Sequence, residues 1–115
     1  MITHVLAVAL VSDLDRATKW YEQLLGRPAD ARPMDTLADW HLTDGGWLQV
    51  FSDPRRAGGV AVNFAVDDFD RTRRALQERG FDTGHVIETL KGSQLLTLTD
   101  PDGNTITVIG NPATE

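Results

Sequence analysis

A chain of 115 residues, 41% of them hydrophobic, has the size and apolar content of a single domain with one core and is too small for two independent ones. It holds no cysteine, which excludes disulfides, a thiolate nucleophile and sulfur-rich zinc or iron–sulfur centres, so any metal would rest on His, carboxylate or amide oxygen. The formal net charge of -6 argues against a general nucleic-acid binder, and Arg55-Arg56 and Arg71, Arg73, Arg74 read as solvated faces.

The longest apolar run, Val5 to Val11, reads as a buried strand. It is far short of the roughly 20 residues that span a bilayer, and no basic stretch precedes it. The expectation is a cytoplasmic protein with no membrane partner. A helix follows, in which Leu14, Ala17, Tyr21, Leu24 and Leu25 fall on one face, Ser12 or Asp13 supplies the N-cap, and Gly26 stands just past the end. The segment from Arg27 to Asp39, with two prolines, is the least patterned and suggests a short strand plus a mobile loop. Asp44-Gly45-Gly46 then closes a hairpin into the alternating strand Trp47-Leu48-Gln49-Val50-Phe51.

Much of this recurs 55 residues later, where Asp67-Asp68-Phe69-Asp70-Arg71-Thr72 lines up with Ser12-Asp13-Leu14-Asp15-Arg16-Ala17. Leu98-Thr99-Asp100 and the strand Thr105 to Ile109 match Leu42-Thr43-Asp44 and Trp47 to Phe51. The second helix carries Phe69, Thr72 and Leu76 on its buried stripe, is capped by Asp67 or Asp68, and stops at Gly80. The polar, turn-rich stretch from Ser52 to Gly59 connects the halves. The organisation is therefore module one over about residues 1–52, a connector over about 53–59 and module two over about 60–111.

Side-chain alternation predicts which sheet face is free of the helices. In Val60 to Val66 the set Val60, Val62, Phe64, Val66 is bulky and apolar and belongs against a helix, leaving Ala61, Asn63 and Ala65 on the other, concave face. The same parity puts His4, Leu6, Val8 and Leu10 of the first strand there, with Trp47, Gln49 and Phe51, and with Thr105, Thr107 and Ile109. Two sheets related by a pseudo-twofold axis would then curve into a cup, the usual form of a small-molecule site. Trp47 and Phe51 also suit plain core or dimer contacts, and Gln49 and Asn63 suit structural hydrogen bonding as well as ligand contact. His85, after Gly84, reads as a surface histidine.

The strand running into Ser12-Asp13-Leu14, then Trp20-Tyr21 and Leu24-Leu25-Gly26, together with Asp100-Pro101-Asp102-Gly103-Asn104 before alternating apolar residues, resembles the opening and closing patterns of the vicinal oxygen chelate superfamily. This is the glyoxalase/bleomycin resistance protein/dioxygenase family, and the resemblance covers essentially the whole chain. It implies an α+β fold of two βαβββ modules, usually in a homodimer, with a cup-shaped site. In metal-dependent members four strands each give one ligand, drawn from His, Glu and sometimes Gln. Counting from the helix starts and hairpins maps those positions to Leu6, Ala61, Gln49 and Thr107. Leu and Ala have no lone pair and Thr is a poor ligand, so neither metal nor cofactor is expected.

Leu6, Trp40, Trp47, Gln49, Phe51, Ala61, Asn63 and Thr107 are thus the candidate ligand contacts, and His4 and His41 the candidate catalytic groups. His41 would face Gln49 across a three-residue turn, whereas a two-residue turn would put Leu42 there. Three functions follow: a metal-free protein that sequesters a small molecule such as a drug or metabolite, a metal-independent isomerase, cyclase or lyase with a histidine base, and an enzyme with a displaced metal on His4, His41 and Gln49. No carboxylate falls at an expected pocket position to orient a histidine.

Overall fold

The structure is a computed structural model that describes residues 1–110; the expected end of module two, about residue 111, lies outside the described residues. Strand β1 (Val5–Val11) leads into α1 (Leu14–Leu25), followed by β2 (Ala31–Met34), β3 (Leu37–His41) and β4 (Gly46–Ser52). Strand β5 (Ala61–Val66), α2 (Phe69–Glu78), β6 (Val86–Glu88), β7 (Gln94–Thr99) and β8 (Thr105–Gly110) repeat that order. They form two separate four-stranded sheets, β1-β4-β3-β2 and β5-β8-β7-β6. In each, the first strand lies parallel to the last and the remaining pairs are antiparallel. This is the α+β fold of paired βαβββ modules. The segment expected to hold one strand and a loop holds β2 and the start of β3, because Arg32 and Pro33 give no alternation that marks a strand.

The helix caps resolve to the second acidic or polar residue of each pair. Asp13 accepts from the Arg16 N–H at 3.2 Å and Asp68 from the Arg71 N–H at 3.1 Å, each satisfying a donor that the first turn leaves open. Gly26 ends α1 at φ 73, a left-handed conformation that a side chain disfavours, and its N–H bonds the Glu22 carbonyl.

Helix α1 serves both sheets. Leu14, Ala17, Tyr21 and Leu24 are buried along it, and burying Leu14 and Leu24 stabilises by roughly 1.5–3 kcal/mol each. Tyr21 packs 6.1 Å from Trp40 of the first sheet while its hydroxyl donates to the Asp100 carboxylate, beyond β7 of the second, at 2.7 Å. Trp20 meets Phe81 edge-on at 5.6 Å. The helix-side residues of both sheets, among them Val11, Leu48, Val62, Leu96 and Ile106, accordingly share one core.

The closing turn stitches the modules together. The Asp100 carboxylate also accepts from the Asn104 N–H, the Asn104 side-chain amide and the Asp102 N–H. Asn104, fully buried, donates from Nδ2 to the Leu10 carbonyl at 2.8 Å and accepts from the Val60 N–H at 3.0 Å. The Ser12 hydroxyl bonds Asp102, and the Gly58 N–H bonds the Leu10 carbonyl. Burial, with the Asp100 hydrogen bond and charge added, pushes the Tyr21 phenol far above its usual pKa.

A candidate ligand face on the first sheet

The face of each sheet turned away from the shared core is left open to solvent. On the first sheet Leu6 keeps 39% of its surface and Val8 37%, while Trp47, Gln49 and Phe51 are half-buried. That is the alternation expected, since Ala9, Val11, Leu48 and Val50 are buried on the helix side. The parallel register sets Leu6 beside Trp47, Val8 beside Gln49 and Leu10 beside Phe51.

Across the hairpin the outcome differs from the sequence reading. Neither His41 nor Leu42 faces Gln49: the register pairs His41 with Trp47 and Asp39 with Gln49. The connection runs from Leu42 to Gly45, longer than either turn considered, and is closed by the Thr43 N–H on the Gly46 carbonyl at 3.0 Å. A carboxylate therefore does lie on the pocket face, contrary to expectation. Asp39 is 4% exposed and accepts from the Gln49 side-chain amide at 3.2 Å. No signal in the sequence marked it, because Asp39 sat in the unpatterned segment and its face depends on the turn length.

His41 stacks on Trp47, ring centroids 3.7 Å apart at 19°, and its Nε2 is buried with no hydrogen-bond partner. His4 is exposed, meets Trp47 edge-on at 5.0 Å and pairs through Nδ1 with the Thr3 hydroxyl. Since β4 lies between β1 and β3, the two histidines approach Trp47 from opposite sides. Trp40 is a correction: it lies on the helix side, fully buried against Tyr21, with its indole N–H on the Arg27 carbonyl at 3.1 Å. The odd residues of β3 face the pocket, so its neighbour Asp39 takes the place that Trp40 was expected to hold.

The second sheet offers a smaller, hydroxyl-bearing wall. Ala61 and Asn63 are exposed, Asn63 lies beside Thr107, and the Thr107 and Thr97 hydroxyls share a 2.7 Å hydrogen bond. Asn63 is not the buried amide that the alternation suggested, since nothing in the described chain covers that face. A cavity of about 890 Å³ lies elsewhere, between Leu24, Leu25, Phe64 and Arg71 at the junction of the modules, and of the candidate residues it reaches Trp47 and Asn63. The polar groups that converge are instead on the first sheet's open face.

A family model described as the Glyoxalase/Bleomycin resistance protein/Dioxygenase superfamily matches residues 2–108. The chain belongs to this superfamily. A glyoxalase/bleomycin resistance protein from Catenulispora acidiphila is 30% identical, with a TM-score of 0.88 over 95% of this chain and 98% of that one. A lactoylglutathione lyase from Agrobacterium tumefaciens is 18% identical, with a TM-score of 0.76 over 93% and 92% of the two chains. A bleomycin-binding protein complexed with bleomycin is 22% identical, with a TM-score of 0.73 over 94% and 98%. The last two share the fold with this chain. No curated protein matches it by sequence.

At the four positions that the resemblance maps as metal ligands, the donor set does not fit a metal ion. Leu6 and Ala61 carry no lone pair, the Thr107 hydroxyl is engaged with Thr97, and Gln49 alone has a ligating oxygen. A displaced site on His4, His41 and Gln49 is opposed by Trp47, which stands between the two imidazoles. Among the described residues no three His, Cys, Asp or Glu side chains gather as a metal site. Among the described residues no helix is long and apolar enough to cross a membrane.

Proposed function

We propose that the protein binds a small organic molecule without a metal, in a cup whose walls are the open face of the first sheet of one copy and the open face of the second sheet of another, within a homodimer. The observation that carries this reading is the pair of uncovered sheet faces. One bears Leu6, Val8, Trp47, Phe51, Asp39 and Gln49, the other Ala61, Asn63 and Thr107, and a strand face with apolar residues more than a third exposed is incomplete as a surface. Apolar walls with a few placed polar groups suit a small-molecule site, and a fold neighbour is a bleomycin-binding protein in complex with its drug.

Sedimentation equilibrium and elemental mass spectrometry on one sample test it. The expected result is a dimer with far less than one metal ion per chain, converted to monomer by Val8→Glu. A monomeric wild type, or stoichiometric metal, overturns the proposal. The unpartnered His41 Nε2 favours a second reading, a metal-independent lyase or isomerase with His41 as base. Turnover that disappears in His41→Gln while ligand binding persists selects it.

A further inference from the structure

The Asp39 carboxylate is short of partners. It is 4% exposed, and its Oδ1 accepts from the Gln49 amide, but no ion pair reaches it among the described residues. The neighbouring arginines are engaged elsewhere: Arg27 holds Asp30 and the His41 carbonyl, and Arg32 holds Asp15 and the Asp35 carbonyl. Buried carboxylates are retained where they are paired, because removal from water costs several kcal/mol per ion that a single neutral donor does not offset.

The surroundings say what would complete it. With one of its two Nε2 hydrogens given to Asp39, Gln49 still has its Oε1 to accept with, so the centre of the face offers the Asp39 carboxylate and the Gln49 carbonyl oxygen as acceptors beside one remaining amide N–H. Trp47 and Phe51 flank Gln49 along β4, and Leu37 and His41 flank Asp39 along β3, giving a flat, largely apolar frame around those acceptors. The formal net charge of -6 favours the approach of cations.

We infer that the ligand of this site carries a planar cationic N–H group, an amidinium, guanidinium or protonated aminoheterocycle on an apolar ring, received by the Asp39 carboxylate and the Gln49 carbonyl oxygen. Charge-assisted, two-point hydrogen bonding of this kind matches a carboxylate better than a compact ammonium does. The inference rests on the binding function proposed above and adds the chemistry of its ligand.

Three isosteric probes separate the possibilities: benzamidine, which is cationic, benzamide, which is neutral, and benzoate, which is anionic. Each is titrated into isotope-labelled protein while the Trp47 indole and Gln49 side-chain amide signals are followed by NMR. The expected result is that benzamidine shifts these signals at concentrations about tenfold lower than the other two, and that Asp39→Asn removes the preference. If Asp39→Asn does not fold, Gln49→Met, which keeps the carboxylate but removes the second acceptor, is expected to narrow it. Equal response to all three probes, preference for benzoate, or an unchanged preference in the variants overturns the inference and leaves small-molecule binding standing. A face that responds to none of the probes overturns the inference, while the binding function stands or falls on the dimer and metal measurements above.

Discussion

Tyr21 is the sole tyrosine of the chain, which makes its ionisation directly observable. In the folded state its phenol is fully buried, donates to the Asp100 carboxylate and titrates far above its usual 10.0, chiefly through burial. The sign follows from linkage. A group whose folded pKa is raised contributes stability that is fully present below the unfolded pKa and is lost as pH rises through the interval between the two. From this residue alone, stability falls by about 1.4 kcal/mol at a pH one unit above the unfolded value and about 2.7 kcal/mol at two units, near 1.36 kcal/mol for each unit. Urea unfolding at several alkaline pH values, compared between wild type and Tyr21→Phe, isolates that slope. Tyr21→Phe itself is expected to cost about 1.5 kcal/mol near neutrality, since a hydrogen bond to a charged group is lost while Asp100 keeps three other donors. Phenolate absorbance in wild type should rise with unfolding and not before it. Absorbance that rises near the ordinary tyrosine pKa in a still-folded protein, or equal alkaline slopes in the two proteins, refutes the reasoning.

Asn104→Ala removes the bonds to Leu10, Val60 and Asp100 at a fully buried position and is expected to lower stability by about 3 kcal/mol, read from the denaturation midpoint at unchanged slope. Thr18→Val should act in the opposite direction. The Thr18 hydroxyl is buried without a partner, so replacing it with a methyl of the same shape is expected to raise stability by up to about 1 kcal/mol in a thermal melt.

The parts of this fold that were legible in the sequence are those with strong local signals. The helix caps, narrowed to Ser12 or Asp13 and to Asp67 or Asp68, the helix stop at Gly26 and the alternation in β1, β4, β5 and β8 each depend on a few adjacent residues, and the structure agrees, with Asp13 and Asp68 as the capping members. Asp39 and His41 were not legible in the same way. Their face is set by pairing across a connection whose length has no period of its own, and Arg32-Pro33 masks the strands before it. Trp40 was misplaced for the same reason. The open state of both sheet faces was equally hidden, because alternation reports which side a residue takes and not what covers that side. Asn104 looked like a turn residue and proved to be a buried clasp between the modules, a role that only tertiary proximity to Leu10 and Val60 creates.

The length of the Leu42 to Gly45 connection has a consequence for how such a face can diversify. Side chains in a strand alternate with a period of two, so a one-residue insertion or deletion that shifts the β3 pairing would turn Asp39 and His41 inward and swing Trp40 out into solvent. A two-residue change keeps every side chain on its own face and brings Leu37 or His41 opposite Gln49 in place of Asp39. The hairpin thus works like a ratchet with two-residue teeth, along which an acidic, apolar or imidazole centre can be exchanged while Ala38 and Trp40 stay on the helix side and repack two positions along β4.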